Sequence, residues 1–230
     1  MSWLADTVAV YLRVFRQAGA LILRSWVLVV AAVACTYLLR LAAVLTAPLG
    51  LVGGLLETLV AAACSSSWLA LLERAIRSGR ADASDVPGSF LVYLSDVLTI
   101  GFLLWLMSMV ASLAFAPFPF LQIVFVLAVV TFLNAVPELI YLGRHAAAEL
   151  LVASYHFVAE NWIEWFPATV LLAVALAAAS RLVPAGPGGI VAATVVGLVF
   201  AYGSIVRGLL FLELTQSGRR GRAFQRRAAP

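Results

Sequence analysis

Charged residues are scarce in this sequence, and lysine is absent from it. Only 11% of the 230 residues are charged, whereas 64% are hydrophobic. All 15 basic residues are arginine, a bias that we attribute to the codon composition of a GC-rich genome. A soluble domain of this length could not keep so much apolar surface away from water. The composition therefore excludes an ordinary soluble protein and predicts a chain that crosses a membrane several times.

Residues that usually carry chemistry are also sparse. The two cysteines, Cys35 and Cys64, fall inside apolar runs, which predicts small core side chains rather than a disulfide. The sequence contains no P-loop, GxGxxG, CxxC or HExxH motif. Arginines interrupt the N-terminal apolar stretch, so we do not expect a cleavable signal peptide. We predict no catalytic residues, no metal site, no cofactor and no enzymatic activity.

The apolar runs predict an all-α, polytopic membrane protein with six transmembrane helices. Each span needs about 20 apolar residues, and turns rich in proline and glycine separate runs of about that length. The predicted spans are about 26–46, 51–72, 90–115, 120–141, 168–182 and 190–214. They form a membrane domain over residues 26–215, arranged as three hairpins that point outward.

Two further segments are predicted to be amphipathic helices that lie in the headgroup plane. In residues 1–25, Arg13, Arg16 and Arg24 share one face of the helical wheel, and apolar side chains occupy the other face. The alternative is that this segment is only the start of a long, tilted first span. The second amphipathic helix is predicted at about 137–161, between the fourth and fifth spans.

The distribution of arginine predicts the orientation in the membrane. Cytoplasmic loops are enriched in Lys and Arg, and a cytoplasmic N-terminus places most of the arginines inside, together with the basic tail at 216–230. We therefore expect an inner-membrane protein with both termini cytoplasmic. Its arginines are expected to bind anionic lipid headgroups rather than nucleic acid. The predicted headgroup contacts are Arg13, Arg16, Arg24, Arg219, Arg220 and Arg222.

Arg40 and Glu57 interrupt the first two apolar spans. Counted from the turn near Leu49, both lie roughly 12–13 Å from the outer end of their helices. An isolated charge at that depth costs a few kcal/mol, so the two are expected to pair. We interpret them as a structural ion pair within the first hairpin. A substrate or proton path is the functional alternative, and exposure of Glu57 to another subunit is a third.

The second amphipathic helix repeats the pattern His-xxx-Glu. His145 and Glu149 recur eleven residues later as His156 and Glu160, which places all four on one helix face. About 16 Å of helix separates the two pairs, so they cannot form one four-ligand metal site. We interpret them as a polar face that is either solvated or a docking surface for a partner or for the basic N-terminal helix.

The overall layout and one long segment resemble a loosely related group of bacterial six-helix membrane families. The segment is PELIYLGRHAAAELLVASYHFVAENWIEWFPAT. The group includes Yip-type families, families of unknown function, and the membrane domain attached to some glycerophosphodiester phosphodiesterases. The matching positions are Ala148, Ser154, Tyr155, Val158, Asn161, Trp162 and Phe166. The resemblance implies a six-helix bundle without an established activity and gives no catalytic residues to transfer.

These observations predict a non-enzymatic membrane subunit or scaffold that packs against another membrane protein or against itself. The alternative is a transporter or permease component whose polar path runs near Arg40 and Glu57. A polar cavity that reaches Glu57 would favour the transporter, whereas a solid bundle would favour the subunit.

Overall fold

The computed structural model describes residues 3–143, 148–181 and 189–216. Throughout these ranges the protein is helical and contains no β-strand, which confirms the all-α class. The helices are α1 (Trp3–Arg24), α2 (Val27–Thr46), α3 (Gly50–Ser78), α4 (Val86–Ser89), α5 (Leu94–Ala114), α6 (Pro119–Phe132), α7 (Val136–Leu142), α8 (Ala148–Arg181) and α9 (Gly189–Gln216).

Within the described ranges, five helical segments are long and apolar enough to cross a membrane. They are Val27–Ser78, Leu94–Ala114, Pro119–Leu142, Glu149–Arg181 and Ala193–Gln216. Their length and hydropathy indicate a membrane-embedded protein. The first segment contains both α2 and α3, so the prediction of six separate spans depends on how this segment lies in the bilayer.

A short turn rich in proline and glycine joins α2 to α3. Pro48 lies in the 3₁₀ segment Ala47–Leu49 and removes a backbone donor there. Gly50 has a φ of +56°, a left-handed conformation that side chains disfavour. A Cβ on Gly53 would collide with the carbonyl oxygen of Thr46, so this close approach requires glycine. Beyond the turn, α2 and α3 pack against each other.

The polar loop after α3 is fixed by local hydrogen bonds. Gly79 ends α3 with a φ of +78°, the usual left-handed helix terminus. Asp82 and Asp85 then form a capping box, in which each side chain accepts from the other residue's backbone. Near the end of the loop, the buried hydroxyls of Ser67 and Ser89 are 2.6 Å apart. These contacts hold the loop against α3.

The predicted fourth span corresponds to the apolar segment Pro119–Leu142, but this segment contains a helix break. The expected span at 120–141 is two helices, α6 and α7, because Pro137 at the start of α7 cannot continue the hydrogen-bond ladder of α6. The expected amphipathic helix at 137–161 is also interrupted. Gly143 has extended backbone and ends α7. The predicted end of the amphipathic helix, in contrast, coincides with a kink that divides α8 into two helical parts. A non-helical backbone conformation at Asn161 marks that position.

The N-terminal helix α1 is separate from the first apolar segment. It ends at Arg24, and the fully buried Ser25 follows it. The Ser25 hydroxyl accepts a hydrogen bond from the Ala81 N–H at 3.1 Å, which anchors the junction to the loop after α3. The chain therefore forms two helices, α1 and α2, on either side of Ser25.

The face of α1 that the protein covers differs from the predicted apolar face. Val14, Ala18 and Ile22, spaced four residues apart, are buried, and α1 packs mainly on α9. Val8 and Leu12 are also apolar residues of α1, and they are exposed. The helix therefore has one apolar strip against the protein and a second strip that is available to lipid.

Tyr11 attaches α1 to an interruption in α8. Pro167 lies inside α8 and disturbs its backbone hydrogen bonds. The Tyr11 hydroxyl donates to the Glu164 carbonyl at 2.5 Å and accepts from the Ala168 N–H at 3.1 Å. These two backbone groups would bond to each other in a regular helix. Burial raises the pKa of Tyr11 to about 12, because the surrounding protein solvates a phenolate poorly.

Candidate functional site

Arg40 and Glu57 do not form the predicted ion pair. Both side chains are exposed, on α2 and α3 respectively. Among the described residues, the salt bridges join other partners, and the guanidinium of Arg40 instead lies 6.0 Å from the centre of the Tyr37 ring. The two charges are equally far along the chain from the turn, but adjacent helices can present residues of equal depth in different directions. Depth alone therefore did not determine contact.

The predicted docking face is only partly described. Glu149, His156 and Glu160 are exposed along the first half of α8, as the polar-face interpretation expected. His145 lies outside the described residues. The His156 ring contacts the neighbouring Tyr155 ring edge-on, with 5.6 Å between their centroids. Within the described chain, no group of three or more His, Cys, Asp or Glu residues is arranged to hold a metal ion.

The basic residues of α1 divide into two kinds. Arg16 and Arg24 are exposed, which leaves them accessible to lipid headgroups. Arg13 instead pairs with Glu213 near the end of α9, with 2.9 Å between Nη1 and Oε1. The expected tail contacts Arg219, Arg220 and Arg222 lie outside the described residues.

A buried polar cluster that the sequence analysis missed lies between α7, α8 and α9. Arg207 of α9 binds Glu138 of α7 through two parallel hydrogen bonds, Nε to Oε1 at 2.8 Å and Nη2 to Oε2 at 2.9 Å. The two side chains are 11% and 5% exposed. This bidentate geometry is the strong form of an Arg–carboxylate contact. Here it neutralises two charges inside apolar segments.

Arg207 also compensates for the break between α6 and α7. Backbone carbonyls freed by a proline need new donors in a membrane, where no water is available. Nη2 of Arg207 donates to the Asn134 carbonyl at 2.7 Å, and the Ser154 hydroxyl donates to the Phe132 carbonyl at 2.8 Å. Arg207 and Ser154 therefore supply donors to backbone carbonyls at the break.

Three more side chains complete the cluster. Trp165 and Thr169 come from α8, and Asn134 comes from the break between α6 and α7. The Trp165 ring lies under the guanidinium of Arg207, at 4.8 Å from its centre, in cation–π geometry. The Trp165 indole N–H donates to the Asn134 side-chain oxygen at 3.1 Å, and the Thr169 hydroxyl is 3.2 Å from the same oxygen. Thr169 also accepts from Nη1 of Arg207 at 3.3 Å. Groups from α7, from α8 and from the α6–α7 break thus converge on one arginine of α9.

The cluster forms one end of a large cavity. The cavity has a volume of about 1110 Å³ and lies between α2, α3, α5, α7, α8 and α9. Glu138, Tyr141 and Arg207 line its polar end, and leucine, isoleucine, valine and aromatic side chains form most of its wall. Cys35 and Cys64 also line it; Cys64 is buried, whereas Cys35 is partly exposed. Neither Arg40 nor Glu57 belongs to the lining.

The sequence did contain a signal for this site. Arg207 interrupts the last apolar run, as Arg40 interrupts the first, and Glu138 follows a proline in the segment NAVPELIY. The argument that a charge in a span needs a partner applies equally to Arg207. Pairing by sequence neighbourhood favoured Arg40 with Glu57, whereas the real pair joins residues that are 69 positions apart.

Comparisons with protein-family models, with curated proteins and with solved structures found no match to this chain.

Proposed function

We propose that the protein is a non-enzymatic membrane subunit that associates with a second copy of itself through the exposed side of α2 and α3. The observation that supports this function is the exposure of Arg40 and Glu57 on two otherwise apolar helices, with no ion pair to either within the described chain. A charged side chain near the middle of a bilayer costs about 2.5–3.5 kcal/mol on insertion scales. A neighbouring subunit that carries the opposite charge would offset this cost.

A second copy supplies the required charges at the required depth. In a dimer whose two-fold axis is normal to the membrane, each surface patch meets its own equivalent. Arg40 of one copy would then lie opposite Glu57 of the other, and the same pair would form again on the other side of the axis. Both helices also expose large apolar side chains, as such an interface requires. Among them are Leu41, Val44, Leu55 and Leu59.

The test measures self-association in lipid vesicles. Copies labelled with donor or acceptor fluorophores are mixed, and energy transfer is followed as lipid dilutes the protein. Arg40→Leu or Glu57→Leu should weaken association by about tenfold or more, because each leaves charges without partners on both sides of the dimer. The double variant should recover part of the loss. Arg181→Leu, at an exposed position on α8, is the matched control and should associate like the original protein. Single variants that also associate like the original protein would contradict the proposal.

The proposed placement in the membrane has six spans and cytoplasmic termini. Here α2 and α3 each cross once, so that the Ala47–Leu49 turn lies outside; the 20 residues of α2 match the thickness of the hydrocarbon core. With this orientation α1 lies along the inner surface of the cytoplasmic membrane. Its exposed residues Arg16 and Arg24 then meet anionic headgroups.

A permease component is the second candidate function, and the cavity is the observation that favours it. The polar path would pass Glu138 and Arg207 rather than the predicted Arg40 and Glu57, since only the former two line the cavity. Uptake of a substrate into vesicles that contain the purified protein would test this function.

A further inference from the structure

The cavity has a mostly apolar wall, and we call the part formed by Glu138, Tyr141, Ser204 and Arg207 its polar end. The small polar side chains of Thr36, Ser65 and Ser180 also line it. Its volume of about 1110 Å³ slightly exceeds the range of roughly 300–1,000 Å³ that is typical of pockets for drug-sized molecules. Side chains such as Leu39, Leu104 and Leu172 line the wall, whereas Ser204 and Arg207 lie at the polar end. This shape and chemistry suit a large, mostly apolar molecule that carries one polar group.

The polar end contains a hydroxyl group that lacks a partner. Tyr141 is only 2% exposed and lines the cavity, and its hydroxyl forms no hydrogen bond. A buried polar group in that state destabilises a protein by about 1–3 kcal/mol. The hydroxyl packs against α9 at Gly208, where a Cβ would lie 2.5 Å from it. The Tyr141 hydroxyl therefore lacks one hydrogen-bonding partner, which a ligand could supply.

A second hydroxyl at the same end is also free to bind. Ser204 lies three residues before Arg207 on α9, so the two share a helix face. Its side chain is partly exposed and lines the cavity, and none of the hydrogen bonds in the described structure involves it. Two hydroxyl groups at one end of an apolar cavity indicate a ligand with a polar oxygen.

The charge balance limits that polar group to an uncharged one. Glu138 and Arg207 neutralise each other through two hydrogen bonds of 2.8 and 2.9 Å. A phosphate or carboxylate would have to displace Glu138 from Arg207, and an amine would have to displace Arg207 from Glu138. Either step leaves one charge buried without its partner, which is strongly unfavourable. A hydroxyl or ester group leaves the pair intact.

We propose that the cavity binds a neutral lipid, with its acyl chains along the apolar wall and its hydroxyl or ester oxygens at Tyr141 and Ser204. This inference does not rest on self-association through α2 and α3, since neither Arg40 nor Glu57 lines the cavity. The two proposals can therefore fail separately.

The test compares two lipids that differ only in the headgroup. The full-length protein in mild detergent is titrated with 1,2-dioleoylglycerol or with 1,2-dioleoyl phosphatidate, and binding is followed by native mass spectrometry and by the thermal unfolding midpoint. Dioleoylglycerol should bind at one molecule per chain and raise the midpoint, whereas the phosphatidate should do so much more weakly. Equal binding of both, tighter binding of the phosphatidate, or no binding of dioleoylglycerol would overturn the proposal.

Tyr141→Phe should change the stability of the lipid-free protein and its affinity for the lipid in opposite directions. Without lipid the variant should be at least as stable as the original protein, because it removes the hydroxyl that lacks a partner. Its affinity for dioleoylglycerol should fall about threefold to tenfold, the contribution of one neutral hydrogen bond. An unchanged affinity would show that the lipid does not use this end of the cavity and would overturn the proposed orientation.

Two glycine substitutions separate the cavity from other positions on the helices. Gly101 lines the cavity, and Gly54 does not; a Cβ at either position meets nothing within 4 Å. Gly101→Leu should fill the space and abolish dioleoylglycerol binding, whereas Gly54→Leu should leave it unchanged. Binding that survives Gly101→Leu would place the lipid elsewhere and contradict the proposal. A photoreactive diacylglycerol bound to the original protein should label α2, α5, α8 or α9, and labelling confined to α1 would contradict it.

Discussion

Replacing Arg207 by leucine should destabilise the protein more than any other single arginine substitution in the described chain. The change leaves the Glu138 carboxylate, only 5% exposed, without its bidentate partner. Breaking a buried ion pair in this way costs about 3–5 kcal/mol. The Asn134 carbonyl at the break between α6 and α7 also loses its donor, which costs about a further 1–3 kcal/mol. For a chain of this length, the sum corresponds to a fall in unfolding midpoint on the order of 10–20 °C.

A double-mutant cycle in detergent measures the coupling directly. Arg207→Leu and Glu138→Leu are compared singly and together by the thermal unfolding midpoint. The double variant should be more stable than Arg207→Leu alone, because it leaves only the Asn134 carbonyl without a donor. Arg181→Leu is the control, since Arg181 is exposed at the end of α8, and it should shift the midpoint by no more than a few degrees. Additive losses, or an Arg207→Leu loss no larger than that of the control, would refute the argument.

Three further predictions concern the turn, α1 and the topology. Gly53→Ala should destabilise the protein because its Cβ collides with the carbonyl that ends α2, whereas Gly54→Ala meets open space; equal midpoints in detergent would contradict the geometry. The original protein should lose stability between about pH 10 and pH 12. The pKa of Tyr11 is about 12 in the folded protein and about 10 in the unfolded chain, so in this range the unfolded chain releases the phenolic proton first. Tyr11→Phe should be less stable at pH 8 and should lose less over that window, so an identical pH profile would exclude Tyr11 as the cause. A cysteine at Gly186 should react with an impermeant reagent added outside the cell, and one at Ser217 should react only from inside; outside labelling at Ser217 would reverse the topology.

The helical class could be predicted because it depends on local properties of the chain. Apolar runs of about 20 residues, separated by proline and glycine, indicate membrane-crossing helices wherever they occur. Pro48 and Gly50 mark a turn in the sequence for the same local reason that they form one in the structure. The break between α6 and α7 lies where the predicted fourth span and the predicted second amphipathic helix overlap, because a proline near the end of a run can either begin a helix or interrupt one.

The candidate site was less predictable because it depends on contacts between distant segments. Arg40 and Glu57 were paired from their depth, which fixes the height of a side chain but not the direction in which it points. The direction depends on how α2 and α3 pack, and the structure leaves both residues exposed. The bond between Arg207 and Glu138 joins α9 to α7, and no local pattern states that these helices touch. Tyr11 is a similar case. Its hydroxyl bridges two backbone groups of α8 that do not bond to each other, and these lie more than 150 residues away in the sequence.

The most direct test of the proposed subunit role uses two charge reversals in separate copies. Arg40→Glu and Glu57→Arg are made in different chains, labelled with donor and acceptor fluorophores, and reconstituted alone or mixed in lipid vesicles. Each variant alone places like charges at both contacts of the proposed dimer and should associate poorly. When the two variants are mixed, every acid again lies opposite a base, so energy transfer between them should return to the level of the original protein. Equal energy transfer for each variant alone and for the mixture would contradict self-association through Arg40 and Glu57.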